Sequence, residues 1–251
     1  MHEYGDIQLP AVLLLHAFGM HWSMWQGVIE GLKTDYHILV PSLEGHEDEH
    51  RTVFTTVEHN ALSLSDWLCQ NGYKKLYAVI GVSLGGAVTV KLLSLKTVNV
   101  LYAVIDAGII PVGFNRAQEF FEVGSNLLML FAAHSLHLLK LLGLYDQYSQ
   151  NQMEQFNKMI KTIAWKTAKN VFYGVDTYTL PDSLSDIPTS ISYWYGSLEE
   201  KERKVAGERI KQLFPNVTIH SFDGYNHAQM CLAKTDTYVE NVKKFIGNNE
   251  I

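Results

Sequence analysis

One serine stands where the chain has to make a very tight turn. Residues 76–87 read LYAVIGVSLGGA: the apolar or aromatic run 76–80 leads into Gly81-Val82-Ser83-Leu84-Gly85, and Gly86 and a helical pattern follow. A hydroxyl at the apex of a sharp strand-to-helix turn is placed for nucleophilic attack on a carbonyl carbon. Glycine is needed two residues before and two after it, because a side chain at either place would meet neighbouring backbone. The same turn aims the backbone N–H of Leu84 at the point where an oxyanion would form. A serine that only caps a helix N-terminus is the rival reading of the turn.

Two other groupings could carry chemistry. Glu44, His46, Glu47, Asp48, Glu49 and His50 bring carboxylates and imidazoles together, but their spacing fits no metal-ligand pattern and they read as a solvated loop. Cys69 and Cys231 sit in helical patterns without metal-type spacing. They read as buried free thiols, which suits a reducing, cytoplasmic setting.

The elements that must position the serine come next. At 251 residues, 47% hydrophobic and 18% charged, the chain is large enough for a sizeable α/β core. A net charge of −6 without any basic cluster argues against a nucleic-acid partner. The first apolar run, 9–15, is short and preceded by Glu3 and Asp6, so no signal peptide is expected. The apolar stretch 127–144 is interrupted by His134, His137 and Lys140, so no stable membrane insertion is expected.

Continuously apolar strands are read at 11–15, 37–40, 76–80 and 100–106, with helices at 20–32, 57–71 and 85–95 between them. That rhythm predicts right-handed crossovers and a mainly parallel sheet flanked by helices on both faces. Active sites of such sheets lie beyond the carboxyl ends of the strands, where His16, Ser83 and Asp106 all fall. The rhythm breaks over 109–186, which is rich in Phe, Leu, Tyr and Met and reads as helices laid over that edge. The sheet resumes with strands at 189–195 and 217–222, a helix at 204–214, and a closing helix at 228–246. The division is therefore a core of 1–108 and 187–251 with a helical cap insertion at 109–186.

This arrangement resembles the α/β-hydrolase superfamily, in particular its small esterase-like members with a helical cap. The resemblance rests, in order, on residues 13–19, 81–86, 196–199 and 224–227. It implies the α/β-hydrolase fold, with a shortened N-terminal edge because only residues 1–10 precede the first core strand. It implies Ser83 as nucleophile and His227, in Gly224-Tyr225-Asn226-His227, as its base, with Asn226 where the family commonly has glycine. The acid falls on Glu199, three residues after Gly196, with Glu200 and Asp106 as alternatives. The oxyanion donors are the backbone N–H groups of Leu84 and Phe18. The loop of the latter reads His16-Ala17-Phe18-Gly19, where Ala17 replaces a glycine and His16 braces the turn.

Such a triad needs no metal or organic cofactor. The implied activity is hydrolysis of carboxylic esters of small, partly apolar substrates through an acyl-enzyme, with Phe114, Phe120, Phe121, Leu127, Leu128 and Met129 of the cap as pocket candidates. The same groups also serve thioester, amide or carbon–carbon hydrolysis, or acyl transfer. A non-catalytic ligand-binding protein on this fold is the alternative from another class. The apolar cap is also compatible with a homodimer.

Overall fold

Strands buried on both faces must send alternate side chains into two different cores. In the computed structural model, which describes residues 1–46, 52–113, 116–135, 137 and 150–247, they do so. Leu13 and Leu15 of β2 (Ala11–Leu15), Val79 of β4 (Lys75–Val82) and Ala103 and Ile105 of β5 (Asn99–Asp106) enter one core. Val12, Leu14, Ala78, Ile80 and Val104 enter the other. Among the described residues the sheet has seven strands in the order β1-β3-β2-β4-β5-β6-β7. The remaining members are β1 (His2–Tyr4), β3 (His37–Val40), β6 (Ser190–Gly196) and β7 (Thr218–Phe222). All pairings are parallel except β1 with β3. The antiparallel member at this edge, β1, is three residues long.

Helices cover both faces. On the first lie α2 (Val57–Gln70), α3 (Leu84–Leu95) and, further along the chain, α6 (Trp165–Thr177) and α7 (Glu200–Leu213). On the second lie α1 (Gln26–Leu32) and α9 (Thr235–Gly247). The helix expected over 20–32 begins as a 3-10 turn, Trp22–Trp25, and the closing helix is two pieces, α8 (Gln229–Ala233) and α9. α7 starts at Glu200, four residues before the expected start, which matters below because it puts Glu199 at a helix entry.

Between β5 and β6 the described residues form only helices: α4 (Arg116–Ala133), α5 (Gln150–Ile160) and α6. Leu130 and Ala133 of α4, Met153 and Ile160 of α5, and Ala168 of α6 share a small core of their own. It is fastened to the main body where Asn170 Nδ2 donates to the Phe54 carbonyl at 2.7 Å and the Phe54 N–H donates to Thr167 Oγ1 at 3.3 Å. Among the described residues no helix is long and apolar enough to cross a membrane.

Candidate active site

The turn after β4 has the conformation its sequence demands. Ser83 lies at φ 55°, ψ −111°, a backbone region that L side chains rarely enter and that costs on the order of 1–3 kcal/mol. Two backbone bonds hold it there: the Ser83 N–H donates to the Asp106 carbonyl at 2.8 Å, and the Ala87 N–H donates to the Ser83 carbonyl at 3.1 Å. A Cβ on Gly81 would strike the Gly85 carbonyl, and a Cβ on Gly85 would strike the Leu15 carbonyl. The second contact matters most, because it presses the elbow against the strand that leads into residues 16–19. Gly85→Ala should therefore cost about 2–3 kcal/mol, read as a lower thermal midpoint, and displace the loop that carries Phe18.

Leu84 is the first residue of α3, so its amide has no partner within the helix and is available to an anion. The opposing loop is fixed by His16, which is fully buried. Its Nδ1–H donates to the Ala17 carbonyl at 2.9 Å and its Nε2 accepts from the Leu43 N–H at 3.0 Å, which sets the tautomer. Burial, helped by neighbouring His46, lowers its pKa to about 3, so the ring stays neutral and acts as a brace. Ala17 is not among the residues at positive φ, while Gly19, at φ 68°, is. The alanine therefore fits where the family commonly has glycine, and the turn is made two residues later.

The acid and histidine loops are stitched to each other. The Leu198 N–H donates to the Tyr225 carbonyl at 3.0 Å and the Gly224 N–H donates to Ser197 Oγ at 2.9 Å. Asn226 does by side chain what a glycine could not: its Oδ1 accepts the His227 N–H at 2.8 Å. His227 Nδ1 lies 2.8 Å from Glu199 Oε2. With that proton directed at the carboxylate, Nε2 is the basic nitrogen. Burial alone would raise the Glu199 pKa, but the His227 and Arg203 contacts outweigh it and hold the carboxyl down to about 2. Glu199 is thus a carboxylate throughout the neutral range.

Of the three acids left open by the sequence, Glu199 is the one bonded to His227; Glu200 is exposed on the first turn of α7. Asp106 is buried at the end of β5, and burial together with the Glu199 charge raises its pKa to about 7. Parallel register puts Val82, Asp106 and Trp194 side by side, so Ser83, Asp106 and the loop bearing Glu199 share one edge of the sheet. The structure joins Glu199 to His227 directly; among the described residues it forms no hydrogen bond between Ser83 and His227. Such contacts are often long without substrate and tighten when it binds.

The pocket candidates divide. Phe114 lies outside the described residues, as do Glu47, Asp48, Glu49 and His50 of the acidic loop. Phe120, Phe121, Leu128 and Met129 face solvent, the first two 82% and 72% exposed, while α4 packs through Leu130 and Ala133. Leu127 is half-buried. The side chains that cover the loop of Phe18 are others. The Phe18 ring meets Phe172 edge-on at 4.8 Å, and a Cβ on Gly19 would strike Ile160 Cδ1 and approach Phe156. The apolar spacing Met153, Phe156, Ile160, Ile163 carried this signal, since positions three or four apart share one helix face. Glu44 meets His59 at 3.0 Å and Asn60 Nδ2 at 3.1 Å, and no group of three metal-ligating side chains occurs among the described residues.

Comparison with known proteins bears on the family and the fold. A family model described as Alpha/beta hydrolase family matches residues 12–236. The Magnesium-chelatase 30 kDa subunit of Rhodobacter capsulatus is 33% identical over 91 residues, which are 36% of this chain and 32% of that protein. Human Monoacylglycerol lipase ABHD6 is 28% identical over 82 residues, 32% of this chain and 24% of the lipase. The chain thus aligns with a third or less of the length of these curated relatives. A solved structure described as a putative alpha/beta hydrolase family protein from Desulfitobacterium hafniense superposes with TM-score 0.76. It covers 97% of this chain and 98% of its own at 20% identity, a likeness that bears on the fold alone.

Proposed function

From the premise that the chain belongs to the alpha/beta hydrolase family, we propose that it is a serine hydrolase that cleaves carboxylic esters of small, partly apolar substrates through an acyl-enzyme. The observation that carries the reading is the pairing of a strained elbow serine with a histidine anchored on a buried carboxylate at the same sheet edge. The name of the human relative, a monoacylglycerol lipase, supports ester chemistry in particular.

The steps follow from the atoms in place. Ser83 Oγ attacks the ester carbonyl carbon while His227 Nε2 takes its proton. Glu199 holds the ring in the required tautomer and stabilises the imidazolium. The amides of Leu84 and Phe18 receive the negative charge that develops on the carbonyl oxygen, a contribution of about 3–4 kcal/mol per lost donor in comparable sites. His227 then passes its proton to the departing alcohol, and water, activated by the same nitrogen, releases the acid. Helices α4 to α6 act as the cap, with Phe18, Phe172 and Ile160 forming the apolar wall beside the oxyanion loop.

The test is chemical. A fluorophosphonate should add covalently to Ser83, located by peptide mass spectrometry, and p-nitrophenyl esters of increasing acyl length should be hydrolysed with a preference for short chains. Absence of both adduct and turnover would overturn the reading.

A further inference from the structure

Resting on that reading, we infer that Arg203 is a positioning residue of the site: it clamps the glutamate that orients His227 and moderates the charge His227 experiences. A glutamate reaches the imidazole with one more rotatable bond than an aspartate, so something has to fix it. Arg203 stands four residues on, one turn along α7, where its side chain lies over Glu199. Its Nε–H donates to Glu199 Oε2 at 2.7 Å, the same oxygen that His227 Nδ1 meets at 2.8 Å. Both members of the ion pair are largely buried, with side-chain exposures of 17% for Arg203 and 8% for Glu199. A guanidinium is seldom buried to this extent without a partner, because its desolvation must be offset by close contacts.

The clamp is itself braced. Arg203 also interacts with Tyr193 of β6, whose hydroxyl donates to the Gly108 carbonyl at 3.0 Å just beyond β5. Polar groups therefore run without interruption from the end of β5 through Tyr193 and Arg203 to Glu199 and His227. The ionisable groups around Glu199 come from several elements: Asp106 on β5, Tyr193 on β6, Arg203 on α7 and His227 after β7, with Cys231 on α8 and Tyr238 on α9 behind Asp106. Arg203 is the one fixed cation among those named.

Two consequences separate this role from simple structural support. A cation on the shared oxygen opposes protonation of His227, so its removal should raise the pH at which the imidazole titrates. The planar fork also restricts where Glu199 can sit, so a lysine should keep the charge and lose the restraint. The experiment follows the His227 ring by NMR across pH in the wild type, Arg203→Met and Arg203→Lys, alongside kcat and KM on a p-nitrophenyl ester. Arg203→Met should move the His227 titration, and the acid limb of kcat/KM with it, upward by about one pH unit. Arg203→Lys should leave the titration near its wild-type position while kcat falls roughly tenfold and KM stays put.

An Arg203→Met ring that titrates like the wild type overturns the charge role. A lysine variant with unchanged kcat overturns the clamp. Should the methionine variant fail to fold, the lysine variant alone decides the clamp and Arg203→Gln supplies the titration. The NMR readout needs no turnover, so a wild type that shows neither fluorophosphonate adduct nor ester turnover refutes the hydrolase reading and still leaves the Arg203 titration to stand or fall.

Discussion

Ser83→Ala should abolish ester hydrolysis, with kcat reduced on the order of 10⁶-fold, while the protein remains folded. The magnitude follows from what remains: without a nucleophile the oxyanion donors and the binding surface still act, but His227 can only activate water. Measured as burst amplitude and steady-state turnover on a p-nitrophenyl ester, the variant should show neither above background. A fall of less than about 100-fold would mean that the attack comes from elsewhere. The companion substitution is more telling about the fold. Ser83 holds φ 55° and ψ −111°, and glycine enters that region without penalty. Ser83→Gly should therefore be as inactive as the alanine variant yet about 1 kcal/mol more stable, seen as a rise of roughly 2–4 °C in thermal midpoint. The two variants together test whether strain is stored at the elbow for function.

Much of this was legible in the chain. The parallel sheet followed from continuous apolar runs at 11–15, 37–40, 76–80 and 100–106, because only strands covered on both faces have no polar side to show. The elbow was legible because the turn itself requires Gly81, whose Cβ would strike the Gly85 carbonyl four residues on; the second requirement, Gly85 against the Leu15 carbonyl, is met by a strand seventy residues earlier. Glu199 was harder. Neighbours in the run Glu199-Glu200-Lys201-Glu202-Arg203 look equivalent in sequence, and only the start of α7 at Glu200 decides that Glu199 is buried and Glu200 exposed. The packing face of α4 is not legible for a related reason. Apolar side chains at 120, 121, 128 and 129 announce a helix with an apolar face, but not that the helix packs through a different one. Which face of an inserted helix meets the core is a tertiary choice made by Phe156, Ile160 and Phe172, from segments far along the chain. The substitutions Ala17 and Asn226 look like departures in a motif and turn out to be compatible with it. One sits at ordinary φ, and the other supplies an acceptor to the amide of His227.

The two buried carboxyls at this edge are driven in opposite directions. Glu199, paired with His227 and Arg203, is held down to about 2, whereas Asp106, desolvated and beside that negative charge, is pushed up to about 7. Asp106 Oδ2 and the nearby Tyr238 hydroxyl oxygen are both buried without a well-formed hydrogen bond among the described residues. Below about pH 7 a neutral carboxyl behind a charged one lets Glu199 carry its negative charge toward the imidazole without a second anion beside it.

Asp106→Asn should consequently remove a pH dependence of stability. The ordinary aspartate value is 3.8, and the folded one is about 7. Below pH 4 both folded and unfolded chains hold the proton, so the contribution of Asp106 is fully present. Between pH 4 and 7 the unfolded chain releases that proton while the folded chain keeps it, and stability falls as pH rises. Roughly three pH units at about 1.4 kcal/mol each set an upper figure of about 4 kcal/mol. Glu199 works in the other direction but in a different window, losing its contribution only as pH falls from about 4.5 toward 2, so the two effects do not overlap near neutrality. Asparagine has the same shape as the neutral acid and no proton to lose. The variant should match or fall slightly below the wild type at pH 3.5, exceed it by about 1–2 kcal/mol at pH 5, and exceed it by about 2–4 kcal/mol at pH 8, by urea unfolding at each value. An asparagine variant less stable than the wild type at pH 8 would show that Asp106 is ionised and paired in the folded protein, and would reverse the order of the two acids.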